Sequence, residues 1–331
     1  MIRTHIMKAI RVHRYGGPEV LTLESDVPIP SPGPEEVLVK VKAVGVNPVE
    51  TYVRSGRYSR LTPLPYTPGT DGAGLVEEVG SSVSGVKKGD RVYVSKTLTG
   101  SYAEYTLVPR NGVHPLPEDV TFTQGAGLAI PYITAYRALI LKMNIRPGEY
   151  VLIHGASGGV GIAAVQIAKA YGSIVIGTAG TEEGKGLVKS AGADYVFNHR
   201  DPDYVEKMSD IVSPNGGFNA ILENNAHINL DKDLKILTEG GRVGIVGNRA
   251  NIEINPRDTM VKESSIIGVA SFHSTPSELK ETHAALQAGM RNGWLRPVVG
   301  KTFSLSNAAG AHDDIINGKG ALGKTVLTID D

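Results

Sequence analysis

The stretch Glu149 to Gly161 reads E-Y-V-L-I-H-G-A-S-G-G-V-G and decides the fold. Its apolar run, Tyr150 to Ile153, predicts a buried strand, the glycines predict a tight turn, and Ile162 to Lys169 predicts a helix. The start of a helix offers unpaired backbone N–H groups and the positive end of the helix dipole, and glycine lets a ligand approach the backbone. The stretch therefore predicts a site for the pyrophosphate of a dinucleotide.

Two glycines of this stretch match the dinucleotide fingerprint. Gly158 and Gly161 stand at its second and third positions, where backbone meets phosphate and helix packs on strand, and Ala156 replaces the first glycine. A glycine-rich turn that binds nothing is the alternative, because one such motif is a weak signal. The neighbouring sequence therefore has to support the assignment.

Short apolar runs alternate with helical patterns after the turn. Strands are predicted at 173–177, 194–198, 218–222, 241–246 and 265–270, with helices at 181–191, 201–212 and 230–237. Such alternation is typical of a parallel, doubly wound sheet. An α/β Rossmann domain is the predicted fold class for this part of the chain.

The end of the second predicted strand indicates which dinucleotide binds. NAD sites usually carry Asp or Glu there, whereas this chain reads G-T-A-G-T over 177–181. The acids that follow, Glu182 and Glu183, are explained by the dipole of the next helix. Small residues, the Thr181 hydroxyl and nearby basic side chains favour a 2′-phosphate, and hence NADPH; these basic residues are Lys185, His199 and Arg200.

Composition excludes several classes of function. The 331 residues contain 34 Lys plus Arg, 34 Asp plus Glu and no Cys. Because the charges balance, the composition gives no sign of a surface that binds nucleic acid or an anionic membrane. Because Cys is absent, disulfides, thiolate catalysis and cysteine-ligated metal sites are excluded. No run has transmembrane length, and residues 1–11 lack the apolar core of a signal peptide. A soluble, cytoplasmic protein is expected.

The first third of the chain predicts a second, mostly antiparallel β domain. Its strands are expected at 7–13, 36–46, 74–79, 90–94 and 102–108, and Asn47 with Pro48 predicts a helix start that Gly56 ends. Strands at 298–303 and 324–329 flank a helix at 306–316, and we expect this tail to return to the β domain. The predicted segments are 1–123, 124–292 and 293–331, the first and last forming one discontinuous domain.

Seven stretches make the sequence similar to a known family. They are Gly16 to Leu21, Gly45 to Gly56, Tyr66 to Asp71, His154 to Gly161, Gly177 to Gly184, Phe197 to Arg200 and Glu253 to Val269. On these residues the chain resembles the zinc-independent quinone oxidoreductases of the medium-chain dehydrogenase/reductase superfamily, the zeta-crystallin group. The resemblance implies a GroES-like catalytic domain, NADPH, a homotetramer or dimer, and reduction of quinones, especially ortho-quinones. Reduction of activated enones is the alternative activity.

The resemblance also implies site residues. Carried over by position, the residues that contact the cofactor would be Tyr52, Ser157, Gly158, Gly159, Val160, Gly180, His199, Asn229, Val246, Gly247, Asn248, Arg249, Val269, Ala270 and Ser271. The glycine turn and the end of the second strand add Ala156, Thr181 and Lys185 to the predicted cofactor site. Segments after strand ends agree with where open α/β sheets bind ligands, whereas the sequence pattern says nothing about Asn229. The pair Asn224-Asn225 comes shortly after the strand predicted at 218–222, at a position that is expected to border the nicotinamide. Members of the family are expected to carry a less polar pair there.

Three residues are candidates for catalysis. Asn47 could polarise the substrate oxygen, Tyr52 could donate a hydrogen bond or proton, and Thr134 could complete the site. Each has a simpler interpretation: Asn47 as a helix cap, Tyr52 as a group that packs on the nicotinamide, and Thr134 as a satisfied helix hydroxyl. His154, inside the first sheet strand, is predicted to be a core histidine.

No metal site is predicted. Zinc-dependent alcohol dehydrogenases place Cys at about the position of Asn47 and a His-Glu pair where this chain has Thr70-Asp71. With no Cys and scattered His residues, the protein must polarise its substrate without a metal.

A hypothesis from another class is binding of AU-rich RNA, or a structural role as a lens crystallin, both implied by the resemblance. Neutral charge and 6% aromatic residues supply no evident stacking platform for RNA.

Overall fold

The computed structural model describes residues 5–329, which form two compact units. Of the described residues, the first unit comprises residues 5–130, Arg296–Lys319 and residues 324–329, and the second comprises Pro131–Leu295 and Gly320–Gly323. The changeover points predicted at 123 and 292 lie a few residues before those in the structure. Across residues 5–329, no helix combines the length and the hydropathy needed to cross a bilayer.

The first unit is mostly antiparallel β. Its first segment contains β1 (Ile6–Arg11), β2 (Thr22–Pro28), β3 (Glu36–Gly45), α1 (Pro48–Arg54), β4 (Asp71–Val79), β5 (Arg91–Val94), β6 (Tyr105–Pro109), β7 (Val113–Pro115) and α2 (Phe122–Gly125). Strand β3 lies at the centre and pairs antiparallel with β4 and with β6. Its apolar residues Val37, Val39 and Val41 are buried while Lys40 and Lys42 are partly exposed, as the period of two predicts.

The second unit alternates strands with helices. Its elements are α3 (Ala129–Tyr136), which starts just before the unit and continues as a π-helical segment over Arg137–Lys142, β8 (Tyr150–Ile153), α4 (Gly159–Ala170), β9 (Ile174–Ala179), α5 (Glu182–Ser190), β10 (Tyr195–Asn198), α6 (Tyr204–Val212), β11 (Phe218–Glu223), α7 (Ala226–Ile236), β12 (Leu237–Ile245), α8 (Pro256–Lys262), β13 (Ser265–Gly268) and α9 (Pro276–Asn292).

The strand order of this sheet confirms the predicted Rossmann class. The six strands run parallel in the order β10-β9-β8-β11-β12-β13. The order reverses between β8 and β11, and in such sheets a dinucleotide lies across the carboxyl ends of the strands at that switch point. Buried Leu152, Ile176 and Ile221 pack in the core beneath it.

The tail of the chain completes the sheet of the first unit. It contains β14 (Val299–Ser304), α10 (Ala308–Asn317) and β15 (Lys324–Thr328). Strand β15 pairs antiparallel with β3 and parallel with β14, so the first unit is discontinuous. Residues Gly320–Gly323 pack with the second unit instead, where the Gly323 N–H donates to the Ser157 carbonyl at 2.7 Å.

The turn between β8 and α4 requires glycine at two places. Gly155 has a φ of +60°, in the left-handed region. At Gly161, a Cβ would lie 2.4 Å from the Gly155 carbonyl oxygen and 2.5 Å from Ala156 Cα. Both contacts are to backbone, so only glycine lets the helix start so close to the turn.

We expect Gly161→Ala to destabilise the protein by about 2–3 kcal/mol, because the added methyl group must push the helix away from the turn. Chemical denaturation measures the loss. Gly186→Ala is the matched control: it also lies within a helix, but no atom lies within 4 Å of its Cβ position. That variant should be neutral or stabilised by roughly 0.5–1 kcal/mol. Equal effects of the two substitutions would contradict the close contact.

Candidate active site

The predicted cofactor residues of the second unit gather at one edge of its sheet. Apart from Lys185 on α5, each follows the carboxyl end of a strand. These residues are Ala156, Ser157, Gly158, Gly159 and Val160 after β8, Gly180 and Thr181 after β9, His199 after β10, Asn229 on the helix after β11, Val246, Gly247, Asn248 and Arg249 after β12, and Val269, Ala270 and Ser271 after β13. All six strands contribute, as expected of a dinucleotide site.

The start of α4 fits a pyrophosphate. Gly158 is the N-cap residue in extended conformation, and no side chain caps the helix, so its first amides stay open to a ligand. A Cβ at Gly158 would lie 3.3 Å from Ala321, within the space between the turn and residues 320–323. The bare backbone and the helix dipole together suit a phosphate group.

The end of β9 carries basic groups and no carboxylate. A Cβ at Gly180 would lie 2.8 Å from His199 Nε2 and 3.2 Å from Arg200 Nε, so both side chains border this glycine. Thr181 caps α5, its Oγ1 accepting the Gly184 N–H at 3.0 Å. Burial and the neighbouring Arg200 lower the pKa of His199, which is therefore neutral at pH 7.

A cavity of about 540 Å³ opens beside the ends of β12 and β13. Five of the predicted cofactor residues line it, together with basic side chains of the π-helical segment and His273. The predicted residues are Val246, Gly247, Asn248, Val269 and Ala270. This cavity therefore extends the strand-end site within the second unit.

In the first unit, Asn47 belongs to a buried charged cluster that the sequence did not reveal. Lys324 Nζ donates to Asn47 Oδ1 and lies 3.5 Å from Asp71 Oδ2. Asn47 Nδ2 donates to the same Asp71 oxygen at 3.0 Å. The three residues are 0–5% exposed. Both ends of the Asn47 amide are thus already engaged.

Glu50 extends this cluster toward the interior of the unit. Its carboxylate accepts the Asn47 backbone N–H and the Tyr102 hydroxyl, both at 2.8 Å, and that hydroxyl lies 3.0 Å from His312 Nε2. Burial raises the pKa of Glu50 to about 7, against the opposing effect of Lys324. Burial likewise raises the pKa of Asp71 and lowers that of Lys324. Each group therefore resists carrying its charge.

The hydroxyl groups of the other two catalytic candidates form no hydrogen bond with other described residues. Tyr52 lies on α1, partly exposed, and its hydroxyl forms no hydrogen bond with the residues described. Thr134 lies on α3 in the second unit and is 8% exposed. Within residues 5–329 its hydroxyl has no partner either. Asn47 is the N-cap residue of α1 and Tyr52 lies within the same helix, whereas Thr134 belongs to the other unit.

A second buried cluster lies beneath the strand ends of the second unit. His154 is 4% exposed, which confirms it as a core histidine, but its Nε2 lies 2.9 Å from Asp233 Oδ1. With Glu223 these residues form the one close group of three potential metal ligands in the described part of the chain. The scattered appearance of the histidines in the sequence concealed it. The available signal was that His154 follows β8 and Glu223 ends β11, two strands that are neighbours in the predicted sheet type.

Comparison with known proteins agrees with this architecture. Residues 33–118 match the family model described as alcohol dehydrogenase GroES-like domain, and residues 159–288 match that described as zinc-binding dehydrogenase. The chain is 56% identical to human quinone oxidoreductase over 324 residues, which is 98% of each chain.

Solved structures show the same fold. An NAD-dependent alcohol dehydrogenase superposes with a TM-score of 0.90 at 30% identity, covering 98% of this chain and 100% of the other. A mycobacterial protein in complex with NADPH superposes with a TM-score of 0.86 at 31% identity, covering 97% and 99%. These two proteins differ in cofactor, so similarity of fold does not distinguish NAD from NADPH. The residues after β9 have to decide between them.

Stability should depend on pH through Glu50. Its pKa rises from 4.5 to about 7 on folding, so its stabilising contribution is complete below about pH 4.5 and is lost as pH rises through 7. Relative to Glu50→Gln, the wild type should lose up to about 3 kcal/mol of unfolding free energy between pH 5 and pH 8. Urea denaturation at both pH values measures this.

Glu118→Gln is the control, because that side chain is 90% exposed. It should leave the pH dependence unchanged. A Glu50→Gln variant with the same dependence as wild type would show that Glu50 is ionised throughout this range.

Proposed function

We propose, from the premise that this chain belongs to the quinone oxidoreductase family of the medium-chain dehydrogenases/reductases, that it reduces quinones with NADPH and without zinc. The observation that carries the activity is identity of 56% with a quinone oxidoreductase along 98% of both chains. Ortho-quinones are the proposed preferred substrates, and activated enones are the alternative.

The second unit supplies the cofactor site in this proposal. Bound NADPH would supply the hydride, from C4 of its nicotinamide. The open amides at the start of α4 hold the pyrophosphate, and Gly158 leaves room for it. Arg200, His199 and Thr181 around Gly180 receive the 2′-phosphate, and Lys185 is released from its exposed pair with Glu182, at 3.1 Å, to join them. A carboxylate at the end of β9 would repel this phosphate, and none is there.

The substrate oxygen gains negative charge as hydride arrives, and a hydrogen-bond donor stabilises it. Tyr52 is the proposed donor because its hydroxyl is not engaged within its own unit, and Thr134 can assist for the same reason. The Asn47 Nδ2 group already donates to Asp71 at 3.0 Å and to Glu50 Oε1 at 3.4 Å, so a substrate oxygen has to displace one of these bonds, and the main role of Asn47 is to anchor the start of α1. Quinones are reactive enough that correct positioning supplies much of the remaining acceleration.

Zinc independence is proposed from the chemistry of the buried cluster. Asn47 stands at about the position where zinc-dependent alcohol dehydrogenases place Cys, and Thr70-Asp71 stands where they place a His-Glu pair, but Lys324 already brings an ammonium group to Asn47 and Asp71. A divalent cation there would have to displace that ammonium or lie beside it at close range. The chain also lacks Cys, the thiolate ligand typical of such sites.

The sheet edge of the second unit is the proposed contact between copies of the chain. Within the described residues 5–329, strand β13 pairs with another strand on one side only; Ile266 on this strand is 39% exposed and Phe272 just after it is 43% exposed. An open, apolar strand edge can pair with its own copy about a two-fold axis. A homodimer built this way could assemble further into the tetramer implied by the resemblance, and sedimentation velocity distinguishes these states.

Initial rates of NADPH oxidation with EDTA present test the proposed function. We expect turnover of 9,10-phenanthrenequinone to exceed that of an alkyl enone, and kcat/KM with NADPH to exceed that with NADH at least about tenfold, because charged hydrogen bonds to the 2′-phosphate are lost with NADH. EDTA should have no effect on any rate.

Three results would contradict parts of this proposal. Reduction of the enone alone would make the protein an alkene reductase, and equal use of NADH would remove the 2′-phosphate site. Loss of activity with EDTA would make a metal necessary. A fourth result, no reduction of either substrate, would contradict the whole proposal. Binding of AU-rich RNA would then be the leading hypothesis, which a filter-binding assay tests. The cytoplasmic location stays a prediction.

Tyr52→Phe distinguishes a hydroxyl donor from a packing ring. If the hydroxyl donates, kcat for the quinone should fall about 10- to 100-fold while the KM for NADPH stays nearly constant. Tyr195→Phe, which removes a hydroxyl from a side chain 44% exposed on β10, is the control. An unchanged kcat in Tyr52→Phe would assign Tyr52 to packing, and an unchanged hydride-transfer rate in Asn47→Ala would dispose of direct polarisation by Asn47.

A further inference from the structure

Three ionisable side chains are buried directly beneath the switch point of the Rossmann sheet. His154 follows β8, Glu223 ends β11 and Asp233 lies on α7, with 4%, 0% and 1% of their surfaces exposed. Strands β8 and β11 are neighbours, and the sheet order reverses between them. The cluster therefore lies below the place where a dinucleotide crosses the sheet.

The two carboxyl groups of this cluster each have an oxygen without a partner. His154 Nε2 lies 2.9 Å from Asp233 Oδ1 and 3.9 Å from Glu223 Oε2. Glu223 Oε2 and Asp233 Oδ2 are buried and accept no hydrogen bond. Two neighbouring carboxylates in such surroundings cannot both ionise without a large cost. The side chains of Glu223 and Asp233 lie within hydrogen-bonding reach of each other, and a single proton shared between them gives both a partner.

Glu223 also holds the segments that border the cofactor site. Its Oε1 accepts the Asn225 N–H and, at 3.3 Å, a hydrogen from Asn229 Nδ2. Its backbone carbonyl accepts the N–H groups of Val246 at 2.9 Å and Gly247 at 3.2 Å. One buried residue thus contacts three of the predicted cofactor residues.

The bond to Glu223 sets the orientation of the Asn229 amide. Because Nδ2 donates to the carboxylate, the amide oxygen Oδ1 is directed away from it and has no donor among residues 5–329. Asn229 is 9% exposed, so this oxygen can reach a ligand at the strand ends. An acceptor at this place suits a ribose hydroxyl or the carboxamide N–H of a nicotinamide nucleotide.

We propose that Glu223 is a positioning residue for the dinucleotide, which it orients through Asn229, and that it does so while sharing one proton with Asp233. The proposal rests on the proposed function only in taking a nicotinamide dinucleotide as the ligand. Loss of the shared proton would place two negative charges side by side under the site. Their repulsion would move the Glu223 carboxylate away from Asp233 and so displace the Asn225 and Asn229 groups that are hydrogen-bonded to it.

The electrostatics of the cluster agree with this geometry. Burial raises the pKa of Glu223, His154 lowers it and the charge of Asp233 raises it, and the net result is a pKa of about 7. Burial alone would lower the pKa of His154, but Asp233 and Glu223 raise it. The other ionisable groups that act on the cluster are Lys232 on α7, Tyr204 on α6 and His199 after β10.

A metal ion is the competing interpretation of the same three side chains. The 2.9 Å between His154 Nε2 and Asp233 Oδ1 is an ordinary hydrogen-bond length. An ion bound at about 2.0–2.2 Å from each ligand would have to break that bond and enter a sealed interior. A proton shared between Glu223 and Asp233 requires neither the loss of the His154–Asp233 hydrogen bond nor the entry of an ion, so the geometry favours the shared proton over a metal ion.

Direct titration with NADPH, followed by its fluorescence, tests the proposal at pH 6.5 and pH 8.5. In wild type the Kd should rise about tenfold at the higher pH, because the displaced Asn229 amide loses one hydrogen bond to the ligand. Glu223→Gln should show no such rise: its amide oxygen keeps the bonds to Asn225 and Asn229, and its NH2 donates to Asp233 as the shared proton did. A ligand phosphate with a second pKa near 6 changes little above pH 6.5.

Glu223→Leu separates positioning from packing, because it removes the acceptor but retains an apolar side chain. Its Kd should rise about tenfold or more at both pH values, with a larger effect on the KM for NADPH than on kcat. Adding Asn229→Ala to it should weaken binding no further than Asn229→Ala does alone, since the two act in series. Circular dichroism melting curves confirm that each variant is folded.

The proposal is overturned if Glu223→Gln keeps the pH dependence of wild type, if wild type shows none, or if Glu223→Leu binds NADPH as tightly as wild type. Stoichiometric binding of Zn2+ or Mn2+ that Glu223→Gln abolishes would make the cluster a metal site instead. Failure of wild type to bind NADPH at either pH would overturn the proposed function as well, which distinguishes the two failures.

Discussion

The start of α4 lies against the turn that leaves β8 so closely that no side chain fits between them. The Cβ position of Gly161 is 2.4 Å from the Gly155 carbonyl oxygen, and Gly155 itself has a positive φ. This contact brings the open amides of the helix to the carboxyl edge of the sheet, next to the place where the strand order reverses. The other residues of the candidate cofactor site reach the same edge only because their strands run parallel to β8.

Each unit buries one cluster of charged groups. One is centred on Lys324, Asp71 and Glu50 in the first unit, and the other on His154, Glu223 and Asp233 in the second. Buried charges seldom add stability, because desolvation costs about as much as pairing returns. In both clusters, however, the charged groups hold backbone N–H groups and amide side chains next to candidate site residues. We infer that they are retained for orientation.

Local patterns predicted most of the fold. The limits of β8 and the helix that starts at Pro48 were predicted correctly, because apolar runs, glycine turns and N-caps are properties of adjacent residues. Strands β2 and β7 and helix α8 were missed: β2 is largely polar and exposed, and β7 has only three residues. The clusters were not predicted, since Lys324 and Asn47 are 277 residues apart and His154 and Asp233 are 79 apart. Only the strand order brings such residues together.

The central claim is that hydride passes directly from bound NADPH to a quinone without a metal. A single-turnover measurement in a stopped-flow instrument tests it most directly, with NADPH carrying deuterium or hydrogen at C4, 9,10-phenanthrenequinone as acceptor, and EDTA present or absent. The account predicts a slower reaction with deuterium and no change with EDTA. A rate that is insensitive to deuterium, even with the chemical step isolated, or a rate that EDTA abolishes would contradict it.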